Sequence, residues 1–188
     1  LVGLKTHTKL VLVVRREAGK IRRYVHIGTG NYNPKTARLY TDLGMFSCRN
    51  ELGADLTELF NYLTGYSRQQ SYRKLLVAPV NLRDRLLAMI HREIEHQRNG
   101  GHGRIVAKMN ALTDEKLTDA LIRAGQSGAK IDLIVRGACM LRAQVPGFTD
   151  NIQVRSVVGR FLEHTRVFYF GRDEEEELFL SSADWMNR

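Results

Sequence analysis

The sequence predicts an α/β fold made of two related halves, in which mixed sheets are flanked by helices, and three observations support this. A histidine followed two residues later by a cation, and then by an apolar strand, occurs twice, at His7 and at His164. Both copies continue into a hairpin. Between them a strand, a helix and a strand follow one another, which is typical of parallel neighbours joined by a right-handed crossover. We expect the two histidine motifs to meet at the interface between the halves.

The two motif copies have the same internal spacing. His7 and Lys9 stand at the start of a hairpin predicted over Leu4 to Gly28, and His164 and Arg166 open a hairpin near the end of the sequence. Alternation along a strand directs residues i and i+2 to one face, so imidazole and cation point the same way. Two such pairs suit one phosphoryl group. One imidazole can attack phosphorus, the other can transfer a proton, and the cations can hold the oxygens.

The register of the first hairpin decides what lies beside its histidine. If Arg16 pairs with Ile21, His7 falls opposite Gly30, and Asn31 joins the site. The small residues there leave room for backbone N–H groups to approach an anion.

The second hairpin is predicted in the same way. If Arg172 pairs with Glu177, His164 falls opposite Trp185 and beside Asp184. A small residue, a polar residue and an aromatic residue follow each hairpin in the same order, at residues 30–32 and 183–185.

His26 lies in the return strand of the first hairpin, opposite Val11 and on the same face as His7. Four residues separate it from His7, or about 13 Å along a strand, so a supporting or structural role fits it better than direct chemistry. The nearby turn, residues 28–31, lacks the spacing of a phosphate loop, and a tight turn is its alternative interpretation.

Two further residues are candidates for ligand binding. Arg136 follows a buried strand predicted over Ile131 to Val135, and ligands of α/β sheets gather at the carboxyl ends of strands. It would clamp a phosphate or, alternatively, form a surface ion pair. Tyr40, in a helix predicted over Pro34 to Thr41, would stack on a nucleobase or pack as a core aromatic.

The charge balance favours an anionic ligand. The 188 residues carry 29 Lys and Arg against 20 Asp and Glu, a net charge of +9. Five of the acids form one run, Asp173 to Glu177, which we expect at the tip of a hairpin, away from the site. Such a surplus attracts polyanions, although a basic surface can also serve solubility alone.

Several classes of protein are disfavoured. No apolar run approaches the roughly 18 residues that a membrane helix needs. Cys48 and Cys139 have no metal or redox spacing and are expected to be reduced thiols, and the histidines form no zinc motif, so we predict no protein-bound metal.

The remaining segments complete the predicted architecture. A polar segment over Tyr66 to Arg73 is a plausible linker, which divides the chain into residues 1–73 and 74–188. Helices are predicted over Leu52 to Leu63, from the cap Asn81 to about Asn99, and over Asp114 to Gln126, and strands over Leu75 to Val77, Arg104 to Met109, Ile131 to Val135 and Ile152 to Val158.

The paired hairpins resemble the phospholipase D superfamily, whose motif has a lysine two residues after the histidine and an aspartate five residues after the lysine. Here the aspartate positions hold Val14 and Gly171, and the second lysine is Arg166. These departures count against a phosphodiesterase.

Longer segments resemble the first family of bacterial polyphosphate kinases, and this resemblance covers essentially the whole chain. They are Val2–Lys9, Tyr24–Tyr32, Thr36–Asp42, Ile131–Gly137, Gly159–Arg166 and Ser181–Met186. The resemblance implies a C-terminal fragment that holds the end of one phospholipase-D-like domain, residues 1–73, and most of a second, residues 74–188. The N-terminal domains and the final segment of the family would lie outside it.

This resemblance implies an activity and roles for residues. The family transfers the γ-phosphate of ATP reversibly to inorganic polyphosphate, with Mg²⁺, through a phosphohistidine. The phosphorylated histidine falls on His7, the second catalytic histidine on His164, and nucleotide contacts on Tyr40 and Arg136. A histidine once linked to phosphorylation falls on His26. The arginines associated with Mg²⁺ would lie before residue 1.

The resemblance also implies a cytoplasmic enzyme, with peripheral membrane association as an option, that forms homo-oligomers at full length and binds no specific nucleic acid. We expect the isolated fragment to be inactive, because phosphoryl transfer depends on positioning. Two alternatives stay open: a phospholipase-D-like phosphodiesterase or phosphatidyltransferase, and a non-catalytic module that binds polyanions.

Overall fold

The computed structural model describes residues 5–66, 68 and 71–187, and its fold is mixed α/β, as predicted. The strands are β1 Leu10–Glu17, β2 Lys20–Gly28, β3 Tyr40–Thr41, β4 Gly44–Ser47, β5 Gly103–Met109, β6 Lys130–Val135, β7 Ile152–Arg155, β8 Leu162–Glu163, β9 Arg166–Arg172 and β10 Glu175–Ser181. The helices are α1 Pro34–Ala37, α2 Asn50–Leu63, α3 Leu82–Arg98 and α4 Glu115–Gln126. Leu4, at the predicted start of the first hairpin, and Ser67, Gln69 and Gln70 of the predicted linker lie outside the described residues.

The strands form three sheets. The largest has the order β10-β9-β5-β6-β7, a second has the order β1-β2-β4, and β3 pairs with β8. Strands β5 and β6 are parallel, as the strand-helix-strand order predicted. Among the described residues, no helix is long and apolar enough to cross a membrane.

The first hairpin has the predicted register, with Arg16 opposite Ile21. Its turn is only two residues long, and both Ala18 and Gly19 have positive φ, 48° and 76°. Such turns match the twist of antiparallel strands. Strand β1 begins at Leu10, so the histidine motif lies on the segment that leads into the strand.

The second hairpin differs from its prediction by two residues, because Arg172 pairs with Glu175 instead of Glu177. Its turn contains only two residues, and the first, Asp173, has a φ of 48°, a conformation that aspartate tolerates better than most residues. Only part of the acidic run therefore lies at the tip, and the rest lies in β10.

The helix predicted over Pro34 to Thr41 is also shorter than expected. Asn33 caps it, as predicted, and its side chain accepts hydrogen bonds from two backbone N–H groups. The helix ends early because the chain then pairs with β8, where Tyr40 lies opposite Leu162. This pairing brings segments that are 122 residues apart in sequence side by side.

The segment Leu75 to Val77 forms no strand, contrary to the prediction. The start of the segment and the two residues before it are held by Asp55 of α2, whose carboxylate accepts hydrogen bonds from the N–H groups of Arg73, Lys74 and Leu75. The N–H of Val77 donates to the side chain of Asn81 instead of to a neighbouring strand. Asp55 is fully buried. The Asp55 carboxylate therefore holds residues 73–75, at the predicted boundary between the halves, against α2.

Two other boundaries need correction. Asn81 precedes α3, as predicted, but its side chain accepts a hydrogen bond from the backbone of Val77 and does not cap the helix. Strand β7 ends at Arg155, three residues before its predicted end, and the Ser156 hydroxyl donates to the backbone oxygen of Arg136.

The main core lies between the five-stranded sheet and helices α3 and α4. Alternate residues of β5 are buried and join one cluster with apolar residues of both helices, so both helices pack against the same face. This cluster includes Leu86, Ile90, Ile105, Ala107, Leu121, Leu133, Phe168 and Phe170.

The two motif-bearing strands have different surroundings. Strand β9 is paired on both sides, and its Phe168 and Phe170 are about 1% exposed. At the same distances from the first histidine, Val11 and Val13 are 42% and 46% exposed, and among the described residues β1 pairs only with β2. The first half therefore exposes the strand face that the second half uses for its core.

We predict that Asp55→Ala lowers the free energy of unfolding by about 2–4 kcal/mol, because three backbone N–H groups lose a charged acceptor. Burial by itself would raise the pKa of Asp55, but the hydrogen bonds from residues 73–75 outweigh it and hold the pKa below 3.8. This stabilisation is therefore present above pH 3.8 and is lost as pH falls through the lower pKa of the folded state. Urea unfolding at pH 7 measures the loss.

Glu51→Ala is the matched control, because Glu51 is exposed on the same helix. It should change stability by about 0.5 kcal/mol or less. Equal effects of the two substitutions would contradict an anchoring role for Asp55.

Candidate active site

His7 lies on the exposed segment before β1 and contacts the second hairpin. Its Nδ1 is 3.1 Å from the backbone oxygen of Ser182, just after β10. Because a carbonyl oxygen only accepts, Nδ1 must carry the hydrogen, and the lone pair of a neutral imidazole is then on Nε2. Nε2, the nitrogen that could attack phosphorus, therefore takes no part in this hydrogen bond.

His164 is buried and is held by residues from the first half of the chain. Its Nδ1 is 2.8 Å from Oδ1 of Asp42, and the ring centroid of Tyr40 is 5.0 Å from its own. The carboxylate accepts the Nδ1 hydrogen, which fixes both the orientation and the tautomer of the imidazole.

Asp42 is the site residue that the sequence analysis missed. Its Oδ1 also accepts a hydrogen bond, 2.9 Å long, from the hydroxyl of the fully buried Thr29. A Cβ at Gly30 would lie only 2.3 Å from the Asp42 carboxyl, so this approach requires glycine. The sequence did offer one signal for Asp42: it is an acid directly after Tyr40 and Thr41, in a segment that carries the family resemblance.

Each motif cation binds the backbone of its own histidine. Lys9 Nζ donates to the backbone oxygen of His7 at 2.6 Å, and Arg166 Nη1 donates to that of His164 at 3.0 Å. Both cations are buried, at 5% and 4% exposure. The two motif copies therefore share this contact.

Arg166 has further partners inside the protein. Its Nε and Nη2 donate to the two carboxylate oxygens of Asp184 at 3.0 and 3.1 Å, and its Nη1 is 3.2 Å from His164 Nε2. Asp184 Oδ1 also accepts from the backbone N–H of Asn110 at 2.7 Å. The guanidinium therefore supplies a buried positive charge directly beside the second imidazole.

Arg136 follows β6 at its carboxyl end, as predicted, and is exposed. Its Nε donates to the side-chain oxygen of Asn110 at 2.8 Å, and Asn110 follows the parallel strand β5. Through Asn110, Arg136 is linked to Asp184 and so to the second histidine motif. Asn31 is exposed in the turn after β2.

His26 lies opposite Val11, as predicted, among aromatic side chains. Its Nδ1 is 2.6 Å from the hydroxyl oxygen of Tyr32, and its ring centroid is 4.6 Å from that of Phe46. Tyr32 and Phe46 are themselves exposed, at 56% and 84%.

The charges around His7 favour its neutral form. Partial burial and then the charges of Lys9 and Arg166 lower the pKa of His7 below 6.5. Burial and the charge of Arg166 also lower the pKa of Lys9 below 10.5. His7 is therefore predominantly neutral at pH 7.

Two family models match the chain. "Polyphosphate kinase C-terminal domain 1" matches residues 1–69, and "Polyphosphate kinase C-terminal domain 2" matches residues 75–188.

The chain belongs to the polyphosphate kinase family.

Known polyphosphate kinases agree closely with this chain. It is 68% identical over 186 residues to the polyphosphate kinase of Thermosynechococcus vestitus and 66% identical over 188 residues to that of a Synechocystis species. These matches cover 99% and 100% of the chain but only 25% and 26% of the relatives, so the chain spans about a quarter of their length. The crystal structure of the Porphyromonas gingivalis polyphosphate kinase is 37% identical, with a TM-score of 0.90, over 99% of this chain and 31% of that one.

Mg²⁺, which the resemblance implies, has no preformed site of three protein ligands in the part of the chain that the structure describes. Within residues 5–66, 68 and 71–187, no three His, Cys, Asp or Glu side chains are arranged to hold a metal ion. The carboxylates of Asp42 and Asp184 are already hydrogen-bonded to imidazole, hydroxyl, guanidinium and backbone groups.

We predict that the imidazole of His7 titrates below pH 6.5 in proton NMR spectra, and that Lys9→Met moves its midpoint up toward 6.5. The substitution removes one of the positive charges that disfavour the imidazolium, while burial remains. Lys35→Met, which removes an exposed charge from α1, is the matched control and should leave the midpoint unchanged. A midpoint at or above 6.5 in the unmodified protein would contradict this electrostatic account.

Proposed function

We propose that the complete polyphosphate kinase containing this chain transfers the γ-phosphate of ATP reversibly to inorganic polyphosphate through a phosphohistidine. One observation carries the proposal: hydrogen bonds cross between the two histidine motifs and the opposite halves of the chain, at His7 with Ser182 and at His164 with Asp42. The family of the chain supports the same reaction.

His7 is the proposed nucleophile. Its Nε2 lone pair attacks the γ-phosphorus, a P–N bond forms, and the P–O bond to ADP breaks. In the second step a terminal oxygen of polyphosphate attacks the same phosphorus, and the P–N bond breaks. Since phosphoryl transfer depends mainly on positioning and charge neutralisation, the nearby ammonium of Lys9 supports both steps.

His164 is the proposed proton donor or acceptor. Asp42 occupies Nδ1, so Nε2 is the atom that exchanges a proton with the departing or attacking oxygen. In this structure Arg166 Nη1 lies 3.2 Å from Nε2, so the exchange requires that this contact is released, and the guanidinium then lies beside the transferring group and can neutralise its charge.

Three residues complete the proposed substrate site. Tyr40 stacks on the nucleobase beside His164, the exposed guanidinium of Arg136 binds a nucleotide phosphate, and Asn31 contributes a polar contact beside His7. Mg²⁺ arrives with the nucleotide or is held by residues outside this chain.

We further propose that residues 1–73 and 74–188 belong to two phospholipase-D-like domains. The matching geometry of Lys9 with His7 and of Arg166 with His164 supports this. The absence of the phospholipase D aspartate at Val14 and Gly171 favours a kinase over a phosphodiesterase.

Labelling with γ-³²P-ATP tests the function. The complete protein should acquire acid-labile, base-stable phosphate, and His7→Ala should abolish it because the accepting nitrogen is gone. His26→Ala is the matched control and should retain the label.

Undiminished label on His7→Ala protein would contradict the assignment. Cleavage of a phosphodiester without nucleotide would favour the phospholipase-D-like alternative. Binding of polyphosphate by a complete protein that never becomes labelled would favour the non-catalytic alternative.

A further inference from the structure

The tip of the first hairpin, residues 15–23, carries an unusual density of positive charge. It contains five cations and a single acid, Glu17. The cations are Arg15, Arg16, Lys20, Arg22 and Arg23, and all except the half-buried Arg23 are exposed.

The register places two of these cations face to face. Arg15 lies directly opposite Arg22 in the ladder between β1 and β2. Like charges in this position repel each other. Arg15 has an ion pair with Glu17 at 3.4 Å, whereas Arg22 contacts uncharged groups, the ring of Tyr24 and the sulfur of Cys48. The charge of Arg22 is therefore left without a counter-ion in these contacts.

At the equivalent position of the second hairpin, a cation lies opposite an acid. Arg15 and Arg172 both lie eight residues after the motif histidine. Opposite Arg172 stands Glu175, and the two form an ion pair. The repeat therefore accommodates an acid where the first hairpin has Arg22, and the cation pair is a particular property of the first hairpin.

The position of the tip indicates the shape of its ligand. Arg15 lies eight residues after His7, so the tip lies up to about 27 Å from the histidine proposed to be phosphorylated. The exposed side chains between them include Val11 and Val13, which offer no charge to an anion. A small phosphate would occupy one end only, whereas a linear polyanion can occupy both.

We propose that the tip of the first hairpin is a second anchoring site for linear polyphosphate, separate from the phosphoryl-transfer site. This inference rests on the proposed function for the identity of the polymer. A chain held at the transfer site has a high effective concentration at the tip, so two modest contacts give strong binding of long chains only. The negative phosphates of the polymer relieve the repulsion between Arg15 and Arg22, and the release of its counter-ions makes the affinity depend on salt.

The test uses the complete protein with Arg15→Gln and Arg22→Gln combined. Affinity for long-chain polyphosphate and for tripolyphosphate is measured by titration at several salt concentrations, and labelling from γ-³²P-ATP is followed in parallel. Long-chain affinity should fall at least about tenfold at low salt, and the slope of log affinity against log salt should become shallower by about 1.5. Tripolyphosphate affinity and labelling should stay unchanged.

Arg98→Gln combined with Arg123→Gln is the matched control. It removes the same charge from exposed arginines on α3 and α4 and should leave long-chain affinity within about twofold. An equal loss in both double variants would overturn the proposal in favour of net charge, and an equal loss of long and short chains would overturn it in favour of a single site.

Two other outcomes would also overturn the proposal. Unchanged long-chain affinity with a lowered unfolding temperature or an altered oligomeric state would assign the tip to a protein contact. Unchanged long-chain affinity with loss of binding to phosphatidylglycerol vesicles would assign it to a membrane surface. Failure of the unmodified protein to become labelled would count against the proposed function, while the direct binding measurements would still decide the role of the tip.

Discussion

The site depends on the hydrogen bond between the Asp42 carboxylate and the His164 imidazole. It joins residues 122 positions apart and fixes the tautomer of the buried His164 imidazole. The bond needs Gly30, since any side chain there would occupy the space of the carboxylate, and it needs the buried hydroxyl of Thr29 as a second donor. Asp42 is a positioning residue in this account, because its partners are groups of the protein.

The two buried cations near this bond, Lys9 and Arg166, are both hydrogen-bonded. Arg166 is compensated by two oxygens of Asp184 and still donates to His164, while Lys9 donates to the backbone of His7. Burying a cation is costly unless it is hydrogen-bonded, and both cations meet that condition. Partial burial, and then the charges of Lys9 and Arg166, lower the pKa of His7, and the same positive charges favour the approach of an anion.

The sequence was informative wherever local periodicity or turn chemistry decides structure. The helix ending at Leu63, the parallel pair β5 and β6 and the register of Arg16 with Ile21 were predicted from these signals. The sequence-based predictions were wrong where a residue far away in the sequence determines the local structure. Residues 75–77 were predicted to form a strand, but the N–H groups of Leu75 and Val77 donate to side chains, and Tyr40 was predicted to be helical but pairs with Leu162. The register of the second hairpin was wrong because a polar sequence does not reveal which two residues will form the turn.

The same distinction applies to the site. His7, Lys9, His164 and Arg166 were found because a repeated motif is visible in one dimension. Asp42 was missed because its role follows from the pairing of β3 with β8.

The central claim, that Asp42 acts through His164, is tested most directly by a double-mutant cycle in the complete enzyme. Asp42→Asn, His164→Gln and the double variant are compared by the rate of phosphoryl transfer from ATP to polyphosphate. His164→Gln should lower the rate by roughly 10²- to 10⁴-fold, the usual contribution of a general acid or base. The account predicts that the double variant is no slower than His164→Gln alone, because Asp42 has no further role once the imidazole is gone. Losses that multiply in the double variant would contradict it.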